Sequence, residues 1–130
     1  MKRLVLALII SGLICTIQTA PAYSAPKEFD EYEVKAAFLG NFLKFVDWPG
    51  KDRDSGNYRI CIYGTDPFGQ YTDSIESMKV RGRAVQIRRL TTVRGLNECS
   101  VVFISSSERR RVNSLLEAVR GFDILTVGDT

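Results

Sequence analysis

Residues 58–69 read YRICIYGTDPFG: a strand, a tight turn and the start of a helix. From Tyr58 to Tyr63 the residues are mostly β-branched or aromatic, with Ile60 and Ile62 alternating against Arg59, Cys61 and Tyr63. That period of two is the mark of a strand. Gly64 and Thr65 break the run, Asp66 suits a helix N-cap and Pro67 the first helical position. Phe68, Tyr71, Ile75 and Met78 then recur at helical spacing and form one apolar stripe.

The same alternation continues downstream. Arg81-Gly82-Arg83 is a turn, and Ala84 to Leu90 (AVQIRRL) reads as a second strand with Val85 and Ile87 inward. Thr91 to Glu98 has room for a short helix. Ser100 to Ile104 (SVVFI) is a continuous apolar run of the kind found in buried parallel strands. Ser105 and Glu108 have capping-box spacing for a helix with Val112, Leu115, Leu116 and Val119 inside, ended by Gly121. Ile124 to Val127 (ILTV) is a fourth strand. Upstream, Asp30 can cap a helix that Trp48-Pro49 stops. Alternating strands and helices predict a single α/β domain. Its mostly parallel sheet has at least four strands, with helices on both faces. The chain stops directly after a strand, so the domain (residues 25–130) is expected to be incomplete at its C-terminus.

The first helix is apolar on two sides. Val34, Ala37, Phe38, Phe42 and Phe45 share one face; Tyr32, Ala36, Leu39, Leu43 and Val46 lie roughly opposite. A narrow strip with Glu33, Gly40, Lys44 and Asp47 separates them. A helix apolar on two sides must be covered on two sides. The second group either packs inside the protein or forms a contact surface. Tyr32, Leu39, Leu43 and Val46 are therefore candidate partner-binding residues, for a homodimer or another protein.

Residues 1–24 read as a secretory signal peptide with cleavage near residues 22–25. Met1-Lys2-Arg3 is basic, Leu4 to Ile17 is almost wholly apolar, and small residues follow at Ala20, Ala22, Ser24 and Ala25. The apolar run is shorter than the ~20 residues a membrane span needs. An exported protein without membrane insertion after cleavage is therefore expected. Removal of Lys2 and Arg3 takes the 18 basic residues to 16 against 15 acidic, and the net charge from +3 to +1. The basic balance is thus mostly the leader's and gives no support for nucleic-acid binding.

Cleavage also removes Cys15 and leaves Cys61 and Cys99. Two cysteines in an exported protein favour a disulfide over two buried free thiols. The sequence has no histidine. That excludes His-based triads, the usual imidazole acid–base catalyst and most zinc sites. No cofactor, metal site or catalytic residue is expected. At the ends of the strands, Thr65 and the Ser105-Ser106-Ser107 run sit where α/β folds bind ligands. The serines lack a base to activate them, so capping or contact with a small polar ligand are their remaining roles.

Several segments together resemble the YfiR family of periplasmic proteins. They are Glu31 to Leu39, Asn41-Phe42 and Phe45 to Pro49, then Ile60 to Gly64, Asp66 to Gly69 and Gly82-Arg83. Cys99, Phe103 to Ser105, Ser107-Glu108 and Leu125 to Asp129 follow in family order. The resemblance implies a non-enzymatic periplasmic repressor. It would bind the periplasmic part of an inner-membrane diguanylate cyclase and so lower cyclic-di-GMP signalling and biofilm formation. It also implies redox sensing through disulfides. Cys61 and Cys99 match one family cysteine pair, while a second pair of some members has no counterpart here.

Overall fold

The computed structural model describes residues 29–49 and 56–129. The expected signal peptide lies outside the described residues, as do most of the charged loop before Tyr58 and the last residue. Asp30 begins the fold by accepting the backbone N–H of Tyr32 at 2.9 Å, which caps helix α1 (Glu31–Phe45). Val46 leaves the helix in extended backbone, two residues before the Trp48-Pro49 stop. The Trp48 ring folds back beneath α1, almost wholly buried.

Strand β1 (Tyr58–Tyr63) lies at the centre of the sheet. Asp66 then accepts the N–H of Phe68 at 2.8 Å. The helix it was expected to cap starts later, because Gly69 takes φ +51. A 3-10 turn (Gly69–Tyr71) runs into the short α2 (Thr72–Glu76). Strand β2 (Lys79–Val80) and β3 (Arg83–Leu90) form an antiparallel hairpin. Arg81 and Gly82 both have positive φ, 50° and 80°, as a two-residue hairpin turn of the favoured twist requires. This two-residue strand is an addition to the architecture read from the sequence. A 3-10 turn (Leu96–Glu98) precedes β4 (Val101–Ile104). A longer 3-10 segment (Ser106–Arg111) leads into α3 (Val112–Val119), and β5 (Leu125–Gly128) follows.

The sheet order is β2-β3-β1-β4-β5, parallel throughout except for β2. The strands alternate their side chains between two cores. Tyr58, Ile60, Ile62, Val101 and Phe103 point to the α1/α2 side, with Ala36, Leu39, Leu43, Trp48, Phe68 and Ile75. Cys61, Tyr63, Val102 and Ile104 point to the other side, with Leu96, Leu115 and Val119. The fold is therefore the expected α/β sheet with helices on both faces. Gly40, read as part of a polar strip, is the close approach of α1 to the segment after α2. A Cβ there would sit 2.7 Å from the Met78 sulfur.

Cys61 and Cys99 are bonded, with Cα atoms 5.9 Å apart. The bridge ties the middle of β1 to the residues leading into its neighbour β4. Both cysteines are 0% exposed within the second core.

Candidate functional site

α1 places its two apolar stripes in opposite environments. Leu39 is 2% exposed and Leu43 0%, both packed over β1 and β4 in the larger core. Tyr32 and Val46 are half-buried against the same core. The four candidate partner residues thus pack against this core, the first of the two places that their spacing leaves open. With Ala36 they meet the apolar face of the sheet, and that contact sets the orientation of a helix apolar on both sides. The outward stripe is the other one. Phe38 is 59% exposed and Phe45 83%, and Val34 and Phe29 are also open. These residues were visible in the sequence as apolar, but nothing in their spacing told which stripe the sheet would take.

Around this stripe lie two apolar grooves that share Phe38. One, of about 290 Å³, is lined by Phe29, Glu33, Val34, Ala37, Phe38 and Asn41. The other, of about 230 Å³, opens between α1 and β5, with Phe38, Phe42, Phe103 and Val127 in its walls. The tilted rings of Phe38 and Phe42 stand 6.5 Å apart beside it. Among the described residues β5 stands at one end of the strand order. Contiguous exposed apolar surface of this sort marks interaction sites more often than bare solvent contact.

A polar cluster holds α1 against β5 at the rim of the second groove. The Asp129 carboxylate, its side chain 3% exposed, accepts from Lys35 Nζ at 2.6 Å and from the Tyr32 hydroxyl at 3.0 Å. Lys35 also pairs with Glu31 one turn earlier. Burial by itself would push the Asp129 carboxyl up. Hydrogen bonds from Lys35, Tyr32 and Ser106, with the charge of Lys35, more than offset that and hold it below the usual range. The same contacts raise Lys35, first through its bond to Asp129 and then through Glu31. The hydrogen bond to Asp129 also raises the Tyr32 phenol. Sequence reading missed this cluster, because its members lie 94 and 97 positions apart.

The strand ends gather the candidate ligand residues. In this sheet β1 and β4 flank the point where the strand order reverses, which is where α/β domains hold ligands. The structure does bring Thr65 and Ser105 to Ser107 together there. Two backbone bonds link them: Thr65 N–H donates to Ser107 Oγ at 3.0 Å, and Ser107 N–H to Ser105 Oγ at 3.4 Å. Ser107 and Glu108 also crowd Gly64. A Cβ on Gly64, which has φ +96, would lie 2.5 Å from Ser107 Oγ and 2.6 Å from Glu108 Cγ. Several arginines of the domain are held in ion pairs. Arg59 and Arg88 reach Glu98, Arg89 reaches Asp66, and Arg81 reaches Asp47. Among the described residues no cluster has the makings of a metal site.

Fold and surface together define a small doubly wound α/β domain with an exposed aromatic helix face. The chain belongs to the YfiR/HmsC-like family, whose model matches residues 32–130. That family is periplasmic and regulatory and is known in cyclic-di-GMP regulation. No curated protein matches the chain. Among the described residues no helix is long and apolar enough to cross a membrane.

Proposed function

We propose that this protein is exported to the periplasm and restrains an inner-membrane diguanylate cyclase by binding its periplasmic part. The repression is by contact and lowers cyclic-di-GMP signalling. One observation supports this reading above the rest: family membership is joined to an apolar helix face left open among the described residues, with Phe38 and Phe45 on it. Interfaces draw their energy from a few buried aromatic anchors, and this face supplies them. The buried Cys61–Cys99 bridge acts here as a staple that keeps β1 and β4 in place, not as the signal input.

The test is to express the tagged full chain in its native host, purify it from solubilised membranes and identify co-purifying proteins by mass spectrometry. The expected result is an inner-membrane cyclase with wild type, and its loss with Phe38→Glu while the protein stays folded and exported. Absence of any cyclase from a folded, periplasmic wild-type sample would overturn the reading. It would turn attention to a small polar ligand at Thr65 and Ser105 to Ser107.

A further inference from the structure

Sulfur is scarce in this chain and unevenly placed. Cys61 and Cys99 are bonded to each other and 0% exposed in the core on the α3 side. The chain has two methionines, and Met1 belongs to the expected leader. Among the described residues Met78 is therefore the one thioether. It is also the one sulfur with a share of the surface, half-buried on the short link between α2 and β2.

The Met78 sulfur packs onto helix backbone. Its side chain lies against α1 at Gly40, a buried position within the helix. A Cβ there would sit 2.7 Å from Met78 Sγ, 3.4 Å from its Cε and 3.8 Å from Ile75 Cγ1. A glycine has no side chain to swing aside. Its N–H and C=O, inside the helix, are already spent along the helical ladder. The N–H of Met78 itself goes to Ile75 O at 3.0 Å. Beside Gly40 on α1, Ala36, Leu39 and Leu43 form the contact with the sheet. A thioether suits such a place because it is slim and apolar and asks for no hydrogen bond. A sulfoxide does not, since it adds bulk and a polar oxygen that needs a donor.

We propose that Met78 is an oxidant-sensitive wedge between α1 and α2, and that its conversion to the sulfoxide loosens the seat of α1. The reagent is a two-electron oxidant of the hydroperoxide class, of which hydrogen peroxide is the simplest. A lone pair of Sγ attacks one peroxide oxygen, and the S–O bond forms as the O–O bond breaks. The departing hydroxide takes the proton of the transferred hydroxyl and leaves as water. Sulfur gives up two electrons and the peroxide is reduced. A methionine sulfoxide reductase reverses the step. α1 carries Phe38 and Phe45 on its outward side, so its seat sets where that face stands. The consequence for a partner rests on the contact-repressor reading; the loosening of α1 does not.

The test uses the mature exported chain with its disulfide intact. It is treated with hydrogen peroxide and followed by peptide mass spectrometry and amide hydrogen exchange. The expected result is one oxygen gained at Met78 in the folded protein. The amides of Leu39 to Leu43 should then exchange at least about tenfold faster, with those of Leu115 to Val119 in α3 unchanged. Methionine sulfoxide reductase should restore slow exchange. Met78→Leu, a change that conserves volume, should keep α1 slow under the same peroxide. Oxidation of Met78 only after unfolding overturns the proposal. A sulfoxide that leaves exchange in α1 unchanged overturns it too, and makes Met78 a filler that turns outward. Equal acceleration in Met78→Leu, or across α3, assigns the effect to general damage and also overturns it. Capture of a membrane cyclase by the reduced protein and not by the oxidised one extends the device to the partner. Loosening of α1 as expected, with no cyclase recovered by either form, keeps the device and removes the repressor reading.

Discussion

Replacing Cys61 and Cys99 together by alanine removes a bridge that closes a loop across 38 positions of sequence. Chain-entropy arithmetic for a loop of this size gives about 4 kcal/mol of stability at 25 °C. The two sulfurs are 0% exposed, among Leu96, Val102, Ile104, Leu115 and Val119, so the small voids left behind add to the loss. Set against the ~5–15 kcal/mol total of an ordinary domain, that is a large share. Urea unfolding followed by fluorescence of Trp48, the single tryptophan and 2% exposed, reads it directly. With a denaturant slope of about 2 kcal/mol per molar, the midpoint should fall by about 2 M. Reductant without urea should leave the bridge intact, because neither sulfur is reachable until the core opens. A double-alanine variant within about 1 kcal/mol of wild type would refute the entropic reasoning. Reduction of the native protein by mild thiol without unfolding would refute the burial argument.

Other outcomes follow from the same geometry. Leu43→Ala, at a fully buried site, should cost about 2–5 kcal/mol, while Phe38→Ala should change stability by less than about 0.5 kcal/mol. Comparable losses in urea melts of the two would mean that α1 is turned the other way. Gly64→Ala should destabilise by at least about 1–2 kcal/mol from the left-handed backbone alone, with more from displaced Ser107. Asp129 has its carboxyl held low in the folded state, so its contribution is present above about pH 4 and lost as pH falls through its folded value. Asp129→Asn should therefore flatten the acid limb of the stability–pH curve. Lys35→Met should destabilise more than Asp129→Asn, because it strands a buried carboxylate while the asparagine removes the charge. An acid limb unchanged in Asp129→Asn would show that the cluster carries no stability.

Much of this fold could be read from residue patterns, and the reasons are local. β1 and β4 declare themselves by alternation and by a continuous apolar run. Asp30 and Ser105 cap the segments they precede, and Cys61 and Cys99 are close because their strands are neighbours. What stayed hidden depends on tertiary contact. β2 is two residues long, too short for any period to show. Gly40 looks polar by position, yet it is where Met78 needs room. Both stripes of α1 are apolar, so only the sheet could select Leu39 and Leu43 for the core and leave Phe38 and Phe45 outside. Asp129 meets Lys35 and Tyr32 across nearly the whole domain, and no local signal announces a pairing of that span. The strand-end residues Thr65 and Ser107 were legible as a cluster, but the bond from the Thr65 backbone N–H to the Ser107 hydroxyl was not.

The account stands most directly on whether the outward face of α1 is what a partner touches. The decisive measurement is the affinity of the purified protein for the periplasmic part of the co-purified cyclase. Wild type is compared with Phe38→Glu and Phe45→Glu, and with Leu116→Glu on the exposed side of α3 as a control. Central aromatic anchors carry about 2 kcal/mol or more each, so the two α1 variants should bind at least ~30-fold more weakly, with the control unchanged. Equal affinity for wild type and both α1 variants would contradict the account.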